Sequence, residues 1–275
     1  MPPHPETPSP GARPTRRWLV AWCGLLALAG CASTEPEVPG EQGRVGANVP
    51  VYKVVDSNGS YLQPGLTSLL GHRDLTVAVN AQPGQGLLEG PLADSEGTLA
   101  TRITQDVDDL DPNVVVIQVG TVDTSSSAAY ERYPDALDSL LASEVMRGRL
   151  TAWFTVSRRA AVAPYTVEGA DRVNAALHAS ATRHPNLWVV DLDRIWSEVF
   201  GDRCPVFDVS TLTWDLGPME ACYEDLGVDP HYDRLNGQTV QGLIEHVVIV
   251  AGVTGQGWGD HEHLARQLRE ITGVG

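Results

Sequence analysis

The stretch Leu110–Asp123, "LDPNVVVIQVGTVD", decides the fold. Its first residues close a helix pattern that ends at Leu110, with Asp106–Asp111 as a solvated helix end leading into the next strand. The run that follows, 114–120, is β-branched and almost continuously apolar instead of alternating. A strand buried on both faces reads this way, and that means a parallel sheet. The same pattern recurs in "VYKVV" (51–55), "LTVAVN" (75–80), "LTAWFTV" (150–156) and "LWVVDLD" (187–193). Helical patterns occupy 61–70, 96–110, 128–146 and 167–184. A short helix is expected near Ile195, then a long irregular loop between Cys204 and Cys222, then helices over 237–250 and 260–271. Regular β-α alternation requires right-handed crossovers. The expected class is α/β: a three-layer α/β/α sandwich with a five-stranded parallel sheet, flavodoxin-like, in the order 2-1-3-4-5.

In such sheets, sites form beyond the carboxyl ends of the strands where the strand order reverses. Three strand ends would converge there. Strand 1 ends in "VVDSNG", strand 2 runs into "NAQPGQG", and strand 3 ends in "GTVD". A late loop, "DLGVDPHYDRLNG", offers His231. The question at Ser57 is whether it is a nucleophile or a turn residue.

The chain has 275 residues, with 19 Lys+Arg against 35 Asp+Glu and a net charge of −16. Nucleic acid and anionic lipid both demand clustered positive charge, so neither is expected as a partner. The first 15 residues are rich in Pro, Ser and Thr. Arg16-Arg17 and the short apolar run "WLVAWCGLLALAGC" follow, which is the layout of an export signal and is short for a membrane span. The run ends in Leu28-Ala29-Gly30-Cys31, which resembles a bacterial lipobox, the motif whose cysteine is acylated and becomes residue one of the mature chain. The expected organisation is therefore a lipoprotein signal peptide at 1–30, a flexible tether at 31–48, and one folded domain at 49–275. It implies an exported protein, lipid-anchored through Cys31 to the outer face of the bacterial cytoplasmic membrane. "TRRWLV" also loosely resembles a twin-arginine signal, which leaves the export route open. In an exported chain, Cys204 and Cys222 pair by default as a disulfide.

Taken together, Asp56-Ser57, Gly84, Gly120-Thr-Val-Asp123 and His231 resemble the SGNH (GDSL-type) hydrolases over about residues 50–250. That family has a Gly-Asp-Ser turn after strand 1, a glycine after strand 2, a Gly-x-Asn-Asp after strand 3 and a late Asp-x-x-His. The resemblance implies a serine ester hydrolase or acyl-transfer enzyme without cofactor or metal, acting on small acyl esters or acylated glycans. Ser57 would attack, with His231 as the base that takes its proton. Asp229 or Asp225 would orient the imidazole. Backbone N–H groups of Ser57, Gly84 and Gly120 would hold the oxyanion. Asp56, Val122 and Asp123 would lie against substrate.

The chain departs from that pattern at three places. Val55 stands where the family has glycine. Val122 stands where it has an asparagine donor. Val228 stands three before His231, where it has aspartate. These departures motivate a second reading: the same fold as a binding lipoprotein for a glycan or acyl ligand. Two other acidic stretches have ordinary readings. "DHEH" at 260–263 is expected to cap a helix through Asp260, and "DVDDLD" at 106–111 lacks the glycine and distal glutamate of a calcium loop.

Overall fold

In the computed structural model the described residues are 50–57, 76–90, 98–208, 210–223, 231–233 and 236–274. The expected signal peptide, the tether with Cys31, the helix at 61–70, and both Asp225 and Asp229 lie outside them.

Five parallel strands form the central sheet: β1 (Pro50–Val55), β2 (Thr76–Ala81), β3 (Val114–Gln118), β4 (Leu150–Phe154) and β5 (Leu187–Val190). Their order is 2-1-3-4-5, as the alternation predicts. Among the described residues, six helices connect or follow them. They are α1 (Leu99–Leu110), α2 (Ser127–Ala142), α3 (Val167–Ala181), α4 (Leu192–Phe200), α5 (Gly237–Thr254) and α6 (His261–Thr272).

The continuous apolarity of the strands follows from cover on both faces. On β3, Val115 and Ile117 join one core with Ile103 of α1, Leu137 of α2 and Val173 of α3. Val114 and Val116 point the other way, into a core with Ile195 of α4, Ile244 of α5 and Leu268 of α6. The period-2 alternation of a strand separates the two sets.

Helix boundaries have local causes. Leu99, Ile103 and Val107 recur every four residues and form the buried stripe of α1. Asp111 ends that helix in the left-handed region, its N–H donating to the Val107 carbonyl. Asp191 caps α4 by accepting from the Arg194 N–H, and Thr166 caps α3 by accepting from the Gly169 N–H. Asp260 caps α6 by accepting from the Glu262 and His263 N–H groups, the role expected of it. His261 and His263 diverge: His261 packs edge-on against Trp188, whereas His263 meets Arg266.

The stretch between the cysteines corrects the sequence reading. It is a two-stranded antiparallel hairpin, β6 (Arg203–Asp208) and β7 (Thr213–Pro218), and not an irregular loop. Phe207 sits opposite Trp214 with ring centroids 5.0 Å apart, a cross-strand aromatic pair that stabilises so short a ladder. The short apolar segments and scattered polar residues hid the period. Cys204 and Cys222 form the expected disulfide, both fully buried, and it ties β6 to a 3₁₀ turn at Met219–Cys222.

Candidate active site

β1 lies between β2 and β3, so its end is the point where the sheet order reverses. The Val55 carbonyl accepts from the Gln82 N–H, and the Asp56 N–H donates to the Gln118 carbonyl. These bonds carry the sheet one residue past β1 and fix Ser57 as the first turn residue at the crevice. Asp56 is buried and Ser57 half-buried.

The loop after β2 is built by its own amides and by Asp123. Gln85 is buried, and its side-chain amide donates to the Gly86 and Glu89 carbonyls. Both Asp123 oxygens accept backbone bonds, from Leu87 at 2.6 Å, Leu88 at 2.9 Å and Glu89 at 3.1 Å. A Cβ on Gly86 would lie 2.5 Å from the Asp123 carboxylate, so glycine is what lets the loop close over it. Asp123, expected against substrate, is instead fully buried and joins the loops after β2 and β3. Burial pushes its carboxyl up to about 6, outweighing the three N–H bonds that favour the charged form. Gly84, expected to donate to an oxyanion, lies exposed on the same loop with φ +74° and open space around its α-carbon. Gly120 is buried with φ +138°, its α-carbon facing Val156 and Val173. Val122 opens a 3₁₀ turn, Val122–Ser125, and is half-buried.

His231 sits on the segment that leads into α5, and its neighbour Tyr232 holds that segment in place. Tyr232 bridges to Tyr223, and the N–H of Asp233 donates to the Cys222 carbonyl at 2.8 Å. The Tyr232 ring stacks on Trp196 at 6.0 Å. Its hydroxyl shares hydrogen bonds with Ser157 and Tyr223, and burial holds it well above the usual phenol range. Ser157 in turn donates to Asp193 at 2.6 Å.

These elements border a small, half-open pocket lined by Asp56, Gln118, Thr121, Ser157, Tyr232 and Gln241, among others. Its volume is about 20 Å³, water-sized room and no more. Ser57 and His231 are the chain neighbours of two lining residues, Asp56 and Tyr232. The sequence reading missed Gln118, Ser157, Tyr232 and Gln241. Gln118 carried a signal, as a polar residue inside the apolar run "VVVIQVG". Among the described residues no group of three His, Cys, Asp or Glu side chains could hold a metal ion.

No protein-family model matches the sequence, and no curated protein sequence does either. Solved structures do resemble the chain. A lipase/acylhydrolase from Enterococcus faecalis superposes with a TM-score of 0.51 at 14% identity, over 74% of this chain and 95% of that one. A GDSL-like lipase from Bacteroides thetaiotaomicron gives 0.49 at 14%, over 75% and 88%. An acetylxylan esterase from Geobacillus stearothermophilus, as a catalytic mutant, gives 0.47 at 15%, over 84% and 97%. The chain shares the α/β/α fold of the Enterococcus protein.

Proposed function

We propose that the protein is an SGNH-type serine ester hydrolase or acyl-transfer enzyme, exported and lipid-anchored at Cys31, that acts on small acyl esters or acylated glycans. The observation that carries this reading is the position of Ser57. It follows β1 at the reversal point of a 2-1-3-4-5 sheet, beside a pocket that Tyr232, next to His231, helps to line. A fold shared with a protein named lipase/acylhydrolase supports it.

In the proposed reaction His231 takes the Ser57 proton as Oγ attacks the ester carbonyl. Backbone N–H groups of Ser57 and Gly84 stabilise the oxyanion, with Gly120 the third donor assigned. Collapse expels the alcohol, which receives the proton from His231. Water then hydrolyses the acyl-enzyme, or a second alcohol takes the acyl group. Asp229 or Asp225 supports the imidazolium.

The test is labelling of the exported protein by a fluorophosphonate probe, paired with turnover of p-nitrophenyl acetate. Wild type labels and turns over, and Ser57→Ala does neither. Turnover that survives Ser57→Ala sinks the assignment. Anchoring is tested separately: Cys31→Ser abolishes incorporation of labelled fatty acid and releases the protein from the membrane fraction.

A second reading, a glycan- or acyl-binding lipoprotein without turnover, is favoured by Val122, which offers no side-chain donor where the family has one. It predicts saturable ligand binding by a folded protein that the probe does not label.

A further inference from the structure

Ser157 lies buried just past β4 and ties the His231 segment to α4. Its Oγ donates to Asp193 Oδ1, in the first turn of α4, at 2.6 Å. The Arg159 N–H donates to the same Oγ at 3.2 Å. The hydroxyls of Tyr223 and Tyr232, both buried, hydrogen-bond to Ser157 and to each other. Asp193 is itself held. Its Oδ2 accepts the Arg158 N–H at 2.9 Å, and the Arg159 guanidinium lies 3.7 Å from Oδ1. Proton counting gives this chain a direction. A serine hydroxyl has one proton and two lone pairs, and an ionised carboxylate only accepts. The Ser157 proton goes to Asp193, so toward the phenols Ser157 can only accept. The hydroxyls therefore run from Tyr232 and Tyr223 through Ser157 to Asp193.

We propose that Ser157 and Asp193 are positioning residues for His231, fixing through the Tyr232 hydroxyl the place from which the imidazole serves Ser57. Tyr232 is the residue after His231, and α4 grips it twice. Trp196 of α4 stacks on the ring at 6.0 Å with the planes 6° apart, and its own Nε1 donates to the Arg203 carbonyl at 3.0 Å. Stacking leaves a ring free to slide in its plane. A hydrogen bond is directional and removes that freedom at the hydroxyl end. Asp193 and Trp196 sit on the same helix, so ring and hydroxyl are referred to one rigid element. The consequence for turnover rests on the hydrolase reading above. The placement of His231 does not.

The experiment uses the full chain in detergent. Aromatic ¹H–¹³C NMR reads the His231 ring, assigned with His231→Gln, and p-nitrophenyl acetate turnover is measured on the same samples. Asp193 is outside the pocket lining, so Asp193→Ala perturbs the chain and not the pocket wall. In that variant the His231 signal shifts or broadens, while that of His184, paired with Asp138, stays. Its kcat falls about ten- to a hundredfold with KM within about twofold of wild type. Ser157→Ala does the same, and Ser157→Thr, which keeps the hydroxyl, restores both readouts. Ser157→Ala/Tyr232→Phe loses no more than either change alone. An unmoved His231 signal in folded Asp193→Ala and Ser157→Ala overturns the proposal whatever the turnover, and additive losses in the double variant do so too. Should Asp193→Ala not fold, Tyr232→Phe, which keeps the stacked ring, is judged by the same criterion. A His231 signal that moves in a protein without Ser57-dependent turnover keeps the positioning role and discards the hydrolase. Ser57-dependent turnover that Asp193→Ala leaves intact does the reverse.

Discussion

Asp123 shows how one side chain sets the shape of a crevice it does not face. Its carboxylate is buried under the backbone of Leu87, Leu88 and Glu89, and its pKa is raised from 3.8 to about 6. A raised folded-state pKa means that the folded protein binds the proton more tightly than the unfolded chain. The resulting stability is fully present below about pH 4 and is lost as the pH rises through about 6. Asp123→Asn removes this linkage and aims an amide NH₂ at backbone donors. Urea unfolding should show it less stable than wild type at pH 7, with the gap widening by up to about 3 kcal/mol at pH 4. A gap that is constant with pH would show that Asp123 does not titrate in this window. Val122 supplies a second residue-scale prediction. If the crevice hydrolyses esters, Val122→Asn adds a donor near the end of β3 and raises kcat by about ten- to a hundredfold. An unchanged kcat would place residue 122 away from the oxyanion.

At the scale of elements, the β6–β7 hairpin and the His231 segment form one braced unit. The disulfide joins Cys204 of β6 to Cys222, and Cys222 then accepts the Asp233 N–H just past His231. Gly237, the first residue of α5, packs so closely there that a Cβ would lie 2.1 Å from the Cys222 carbonyl oxygen. Cys204→Ser/Cys222→Ser should cost about 3 kcal/mol of stability on the chain-entropy model. The wild type under reductant should lose the same amount in a chemical melt. If the crevice hydrolyses esters as proposed, turnover should fall below that of wild type at temperatures where both are folded, because the bridge also ties the His231 segment to β6. Full turnover in the folded double variant would mean that Tyr232 alone holds the segment. The disulfide was readable from the expected export signal and the cysteine count. The hairpin was not: its stability comes from pairing Phe207 with Trp214 and from packing on the α4–α6 core, and neither contact is local in sequence.

At the scale of the whole molecule, among the described residues, a buried ion pair joins the sheet to the helix layer. Lys53, the chain's single lysine, meets Glu245 of α5 at 2.6 Å with side chains 3% and 7% exposed. Burial pushes the Glu245 carboxyl up, and Lys53 opposes that rise. Removing one partner strands a buried charge, so Lys53→Met should destabilise by about 3–5 kcal/mol. The pair Lys53→Met/Glu245→Leu should recover most of that loss in a double-mutant cycle, and additive losses would refute the coupling. Nothing in "VYKVV" announced this partner, 192 positions away. The five strands of the central sheet, their 2-1-3-4-5 order and the described helices that follow them were legible in the sequence, the strands because burial on both faces writes a continuous apolar run into each. Ser57, Gly84 and His231 were legible as candidates because strand ends and glycine turns are local signals. The inward turn of Asp123, the bracing of Tyr232 by Ser157 and Tyr223, and the gathering of Gln118 and Tyr232 into one pocket lining depended on tertiary structure. Each joins residues from separate strands, loops or helices, and a contact of that kind exists only once the layers have packed.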